Sequence, residues 1–176
     1  MLDVIRKRRS YRDYLPKKVE EEKLTEILKA AMFSPSARHQ RLWQFIIVKD
    51  NKLRDALAAT KLHSSFANKA PVILVIISRV EGPNPYWWLE DAFIASTQIY
   101  LEATNQELGA CCIQIYGSKR DNGRDAEEYV KKLLNIPHNM RVACFMPVGY
   151  PKSKLTEHQD SEFEIKKIHQ DKFGQH

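Results

Sequence analysis

Ala70-Pro71-Val72-Ile73-Leu74-Val75-Ile76-Ile77 is the longest apolar run in the chain. A bilayer span takes ~20 such residues, so this run is far too short to be one. From Val72 onward no polar residue interrupts it, which predicts a strand buried on both faces rather than one with a wet side. Such a strand needs helices above and below, and the flanking sequence supplies them. Apolar residues recur at helical spacing at Leu24, Ile27, Leu28, Ala31 and Met32, and again at Leu53, Ala56 and Leu57. Two further sets are Leu89, Ala92, Phe93, Ile99 and Ala103, and Ala126, Tyr129, Val130, Leu133 and Leu134. Trp43–Val48, Ala110–Tyr116 and Val142–Val148 are runs of strand formers. Strands alternating with helices predict a central sheet covered on both faces.

Local signals set the boundaries. Asp3 predicts the cap of a short first helix, and Asp50 the cap of the helix after Trp43–Val48. Glu20, Glu21 and Glu22 fill a first turn, where the helix dipole favours anions. Ser34-Pro35 stops that helix, because a residue before proline is steered away from helical geometry. Glu81-Gly82-Pro83-Asn84-Pro85 reads as a loop, and the helix from Trp88 to Leu108 is expected to end on Gly109 as its C-terminal cap. Tyr86, Trp87 and Trp88 read as anchors of that helix in the core or as an aromatic wall over a ligand. After Gly149-Tyr150-Pro151 the chain turns polar, with scattered apolar residues such as Phe163 and Ile168. Residues 1–150 therefore read as one domain, and 151–176 as an arm that cannot build a core of its own.

The 176 residues suit a single domain. An apolar share of 43% with 28% charged residues fits a folded protein and not a disordered one. The charged start at Arg6, Lys7, Arg8 and Arg9, with no apolar stretch behind it, predicts neither a signal peptide nor a membrane anchor. Cys111, Cys112 and Cys144 are odd in number and two are adjacent, so they make no disulfide framework, and a reducing, cytoplasmic setting is expected. On a strand Cys111 and Cys112 point to opposite faces and read as small core residues. The six histidines show no i, i+4 pair and none lies near a cysteine at ligand spacing, so no metal site is expected. No G-x-G-x-x-G, P-loop or G-x-S-x-G motif occurs. With six glycines in all, a phosphate is more readily held by side chains.

The net charge of +6 suits an anionic ligand: a phosphate-bearing cofactor, nucleic acid or an acidic surface. Five cations fall between Arg6 and Arg12 with no acid until Asp13. Within that run, Arg8-Arg9-Ser10-Tyr11-Arg12 offers three guanidinium groups and a hydroxyl that can wrap a phosphate by bidentate bonds. The plainer reading is a solvated basic stretch or a nucleic-acid contact, and charge alone leaves both open.

The wider pattern resembles the FMN-dependent nitroreductase family. Arg8-Arg9-Ser10-x-Arg12 is followed by Pro16, then by a helix ending in Ala30-Ala31-x-x-Ser34-Pro35-Ser36, then by Trp43-x-Phe45 opening a strand. Ala70-Pro71, Glu90-Asp91-Ala92, Leu108-Gly109-Ala110, Tyr116-Gly117, Leu134-x-Ile136-Pro137 and Val148-Gly149-Tyr150-Pro151 continue in the family's order. Lys152-Ser153-Lys154 and Ile168-His169 look like its closing segment.

The resemblance implies an α+β, three-layer α/β/α sandwich with a central mixed sheet, in a homodimer whose C-terminal arms are exchanged. It implies FMN at the subunit interface, NADH or NADPH as electron donor, and a small-molecule acceptor such as a nitroaromatic or quinone, reduced in ping-pong fashion. Reductive dehalogenation and oxidative flavin cleavage also occur in the family. Arg8, Arg9 and Ser10 match phosphate-binding positions, with Lys152 and Lys154 as late cations closing on the phosphate. Arg12 matches the cation beside the flavin pyrimidine, where a fixed positive charge favours the reduced form. Pro35, Ser36 and Arg38 match a loop reaching the flavin from the other subunit, and Tyr116 and Gly117 match backbone amides near N5 and O4. No side-chain nucleophile is required, so no catalytic residue is assigned.

The sequence departs from the family in one loop. Where Asn and Gln-Pro are common, this chain has His39 and Arg41-Leu42. In the segment from Lys61 to Lys69 no residue matches a flavin ligand. Two readings of other classes stand beside the enzyme: a flavin-binding carrier or sensor without turnover, and a basic nucleic-acid-binding protein. The latter predicts exposed aromatics interleaved with cations, whereas here the aromatics sit mainly in apolar runs.

Overall fold

The structure is a computed structural model that describes residues 1–80 and 85–175. Most of the loop read at Glu81-Gly82-Pro83-Asn84-Pro85 therefore lies outside the described residues. The strands are β1 (Trp43–Val48), β2 (Val72–Arg79), β3 (Gly109–Ala110), β4 (Ile113–Gln114) and β5 (Met140–Gly149). They form one sheet in the order β1-β2-β5-β3, with β4 also pairing β5. Every ladder is antiparallel, and parallel pairing enters through the isolated bridge of Ser10 to Ala110.

The helices are α1 (Leu2–Lys7), α2 (Glu21–Met32), α3 (Asn51–Ala58), α4 (Trp88–Asn105) and α5 (Ala126–Leu134). As expected, β2 is buried on both faces. Val72, Leu74 and Ile76 pack with Leu24 and Ile27 of α2 and with Ala92, Ala95 and Ile99 of α4. Ile73, Val75 and Ile77 pack with Leu57 of α3 and with Ala126 and Val130 of α5. Among the described residues, no helix is long and apolar enough to cross a membrane.

Strand β5 carries a bulge. Ile76 pairs with Cys144 and Ile77 with Val142, so Ala143 is an extra residue with no partner on β2. The bulge keeps Val142 and Phe145 in one core layer and Cys144 and Met146 in the other. Without it, one half of the strand would present its side chains to the wrong face.

Three local expectations are corrected. Asp3 lies inside the first turn of α1, and Met1 occupies the cap position. Asp50 does cap α3, accepting the Leu53 N–H at 2.9 Å. Helix α4 ends at Asn105, and Glu107, with φ 62°, takes the left-handed turn expected of Gly109. Gly109 lies in β3, where a Cβ would stand 2.7 Å from the Tyr11 ring. The single strand expected over Ala110–Tyr116 is split at Cys111-Cys112, and the Cys112 N–H leaves the ladder to reach Tyr100 Oη at 2.6 Å. Trp88 is buried, while Tyr86 and Trp87 are exposed.

The arm begins on its own chain. The Lys152 N–H donates to Asp13 O at 3.1 Å and the His158 N–H to Arg6 O at 2.9 Å. Arg6 pairs with Asp160, and Arg9 donates to the Thr156 carbonyl. Beyond Glu162, Phe163, Ile165, Ile168 and Phe173 are exposed.

Gly109 sets the closest approach of the N-terminal segment to the sheet. Gly109→Ala is expected to cost about 1–3 kcal/mol, as overpacking does in a filled core, because the Tyr11 ring would have to withdraw. Urea unfolding of the variant beside the parent measures it.

Candidate functional site

The N-terminal segment runs along β3, with the Tyr11 N–H donating to Ala110 O at 3.0 Å. That register brings the basic run against α4. Ser10 Oγ lies 3.2 Å from Tyr100 Oη, and the Arg8 guanidinium sits 5.3 Å from the centre of the Tyr100 ring. Arg8 also reaches His158 Nε2 at 3.1 Å. Arg12 donates to Ser10 O at 3.3 Å and lies 5.8 Å from the Phe66 ring. Ser10, Arg12, Tyr100 and Cys111 thus lie close together. Burial pushes the Cys111 thiol up, against the pull of the Arg12 charge.

Carboxylates are scarce here. Asp13 holds Lys69 at 3.3 Å and Lys152 at 3.6 Å, and the Lys69 hydrogen bond keeps its carboxyl below the usual aspartate value. Arg8, Arg9 and Arg12 have no carboxylate partner among the described residues. Glu162, bonded to His158 at 2.7 Å, is a second carboxylate nearby, and two carboxylates against Arg8, Arg9, Arg12, Lys69 and Lys152 still leave a surplus of positive charge that suits a phosphate. Lys154 is not brought into this cluster. It lines a groove of about 540 Å³ with Val4, Lys7, Tyr11 and Leu155.

Lys61, which the sequence reading passed over, donates to Gln114 O at 3.1 Å and Ser118 Oγ at 3.0 Å. No spacing rule links positions so far apart; only the crossing of the 3-10 segment Leu62–Lys69 over this edge reveals them.

The loop with Pro35, Ser36 and Arg38 sits elsewhere, at the N-terminal end of α4. The Ala37 N–H donates to Asp91 at 3.0 and 3.2 Å to its two oxygens, and Ser36 Oγ accepts the Arg41 N–H at 3.0 Å. Arg38, His39 and Arg41 all have left-handed φ, of 51°, 57° and 49°. Arg38 lies 5.6 Å from the Trp87 ring. Asp91 and Tyr100 are nine positions apart on α4, so at 1.5 Å per residue the loop and the basic cluster are separated by about 14 Å of helix.

Tyr116 and Gly117 close the strip that begins at Ser10 and Ala110. The Ile115 and Tyr116 N–H groups both donate to the carbonyl of Ala143, the bulge residue, at 3.0 and 3.2 Å. The Tyr116 amide is therefore committed to the sheet. The Gly117 N–H has no partner among the described residues, its φ is 69°, and nothing lies within 4 Å of where a Cβ would be. Of the two amides expected to face a ligand, Gly117 is the free one. No cluster of His, Cys, Asp or Glu able to hold a metal occurs among the described residues.

Tyr100 ties the cluster together and is held neutral, since burial pushes its hydroxyl from 10.0 up to about 12. A tyrosine is uncharged when protonated, so its share of the folding energy is complete below pH 10 and is lost as pH rises toward 12. Tyr14, also buried, shifts in the same direction. The urea midpoint is expected to fall across that window. Tyr100→Phe should flatten part of the fall, while costing about 1–3 kcal/mol at neutral pH because the Cys112 N–H loses its acceptor. Urea titrations at pH 7 and pH 11 read both effects.

The fold and these residues have known counterparts. A family model described as the nitroreductase family matches residues 5–63 and 58–150. An FMN-dependent nitroreductase from Clostridium difficile R20291 superposes with a TM-score of 0.93 at 35% identity, covering 98% of this chain and 100% of that one. An NADH dehydrogenase of Thermus thermophilus is 37% identical over 172 residues, which is 82% of this chain and 83% of that protein. An iodotyrosine deiodinase of Thermotoga neapolitana is 26% identical over 176 residues, 86% of this chain and 88% of that protein. With matches that run nearly from end to end, the chain belongs to the nitroreductase family of oxidoreductases.

Proposed function

We propose that the protein is an FMN-dependent NAD(P)H oxidoreductase that reduces small acceptors such as nitroaromatics or quinones by ping-pong turnover, working as a homodimer in the cytoplasm. One observation carries this reading. A strip of backbone joins a basic cluster lacking carboxylate partners on its three arginines, Arg8, Arg9 and Arg12, to a free amide at Gly117.

The residues present fit FMN. Arg8, Arg9 and Ser10 would hold the phosphate, with Lys152 and Lys69 nearby on Asp13. Arg12 would lie toward the pyrimidine edge, and the Gly117 N–H would lie near N5 and O4. When bound, FMN supplies two-electron acceptance from NAD(P)H and delivery to the acceptor. The chain's own part is to bind, orient and exclude water. Tyr100 keeps its proton at neutral pH and so remains a donor beside Ser10.

The homodimer reading is supported by the family resemblance and by the apolar side chains that the arm leaves exposed. Pro35, Ser36 and Arg38 belong to a flavin site by resemblance, yet lie about 14 Å along α4 from Tyr100 in their own protomer. A second copy brings such a loop to each cluster. The exposed Phe163, Ile165, Ile168 and Phe173 give the arm an apolar face for that copy. The exchanged part is then the stretch beyond Glu162, because the preceding residues dock on their own N-terminal segment.

The nucleic-acid reading has less support, because the family to which the chain belongs is one of oxidoreductases.

FMN is expected to co-purify and to bind more than about tenfold tighter than riboflavin, since each charge-assisted phosphate contact contributes about 1.5–3 kcal/mol. Flavin fluorescence titration decides this, and equal affinities would remove the assigned role of Arg8, Arg9 and Ser10. NAD(P)H oxidation with a quinone acceptor separates an enzyme from a carrier. A chain ending at Glu162 is expected to lose its dimer and most of its FMN. Light scattering with flavin absorbance reads both, and a truncated dimer with stoichiometric FMN would refute the exchanged arm.

A further inference from the structure

Glu127 is a buried carboxylate on α5, its side chain only 5% exposed, and nothing in the site described so far uses it. It accepts from Arg141 Nε and Nη2, both at 2.8 Å, and from the Val142 N–H at 2.8 Å. Lys131 Nζ stands 3.8 Å away on the next turn and also faces Glu128 at 3.5 Å. Val142 and Ala143 are where β5 breaks register. The carboxylate thus fills the place of a ladder partner at the bulge. The Glu127 hydrogen bond also raises the pKa of Arg141.

The other side of Arg141 faces the candidate site. Its guanidinium lies 4.7 Å from the Tyr116 ring centre and 5.5 Å from that of Trp88. Trp88 and Tyr116 meet edge to face at 5.0 Å. Two connections therefore run from Glu127 to the same turn. One passes through the bulge to the Ala143 carbonyl and the Ile115 and Tyr116 amides. The other passes through Arg141 to the Tyr116 ring. The residue next to that doubly held turn is Gly117, with the unpartnered N–H.

We propose that Glu127 and Arg141 are positioning residues that pin the bulge of β5 and the Tyr116 ring, and thereby aim the Gly117 N–H at the flavin. The proposal rests on the functional reading above. A bidentate pair on a buried carboxylate suits this task, because its two parallel bonds fix orientation as well as distance. A lysine at position 141 would keep the charge and lose the fork.

The test uses the full chain loaded with FMN, with Glu127→Gln and Arg141→Lys as variants. FMN affinity is expected to stay within about threefold, because the phosphate cluster is untouched, while single-turnover reduction by NADH or NADPH slows about tenfold or more, as misaiming a preorganised donor does. The Gly117 amide resonance of the FMN-free chain is expected to shift in both variants, with resonances of α2 and α3 unmoved. A merely structural role would not separate flavin affinity from reduction rate.

Tyr116→Phe spares the pair and removes the phenol oxygen beside Arg141, so it serves if the other two fail to fold. It is expected to move the Gly117 resonance and to slow reduction less. Folded variants with a parental Gly117 resonance and reduction within about twofold of the parent overturn the proposal, being far from the loss expected of a misaimed donor. A parent chain that binds no FMN overturns the functional reading instead, and the resonance, read without flavin, still tests the positioning.

Discussion

The extra residue in β5 is the constraint on which both the core and the candidate site depend. Burial on two faces demands that β2 and β5 keep the same parity along their whole ladder, because each side chain must enter the correct layer. Inserting Ala143 shifts that parity once, between Ile76 and Ile77. At the same point the Val142 N–H leaves β2 and bonds to Glu127, beside the Ala143 carbonyl that collects the Ile115 and Tyr116 amides. The turn that carries Gly117 is therefore built directly onto the irregular part of the strand.

Much of this was legible from the sequence, for physical reasons that differ between segments. The run Val72–Ile77 announced its burial because no polar residue interrupts it. The helices α2 and α5 showed themselves through apolar spacing, and Asp50 through its cap. The bulge did not, because Val142–Val148 is nearly all apolar and carries no alternation whose phase could slip visibly. Gly109 was misread because a glycine after a helix serves equally well as a cap or as a point of close approach. The difference lies in Tyr11, almost a hundred positions away, whose ring fills the space a Cβ would take. Asp3 in a first turn and Asp3 as a cap are likewise one sequence signal, separated only by where the helix begins.

The candidate site divides in the same way. Arg8, Arg9, Ser10 and Arg12 were readable because their chemistry is local: cations and a hydroxyl within five positions need only a partner surface. Tyr100 and Lys61 were not, since each joins through a contact between distant segments. Lys154 shows the converse. Two positions beyond Lys152, it nonetheless faces a different groove, because the chain turns between them. The loop at Pro35, Ser36 and Arg38 could be named from the family pattern, yet one protomer holds it well away from the basic cluster. Its three left-handed residues carry side chains larger than glycine, a conformation that costs roughly 1–2 kcal/mol each and persists only where surroundings impose it. Asp91 and Ser36, which hold the neighbouring amides, are those surroundings.

The pair of Glu127 and Arg141 completes the argument. Glu127 is the buried member and Arg141 remains a third exposed, so the desolvation cost falls on the carboxylate, which is offset only by the hydrogen bonds it accepts. What apolar residues cannot do is accept the Val142 N–H while holding a guanidinium in one plane. Core burial already requires the bulge, because a straight ladder would send half of β5 to the wrong face. Glu127 satisfies the amide that the bulge leaves without a ladder partner, one residue from the carbonyl that holds Tyr116, so the packing of the core and the placement of the turn at Gly117 meet at one side chain.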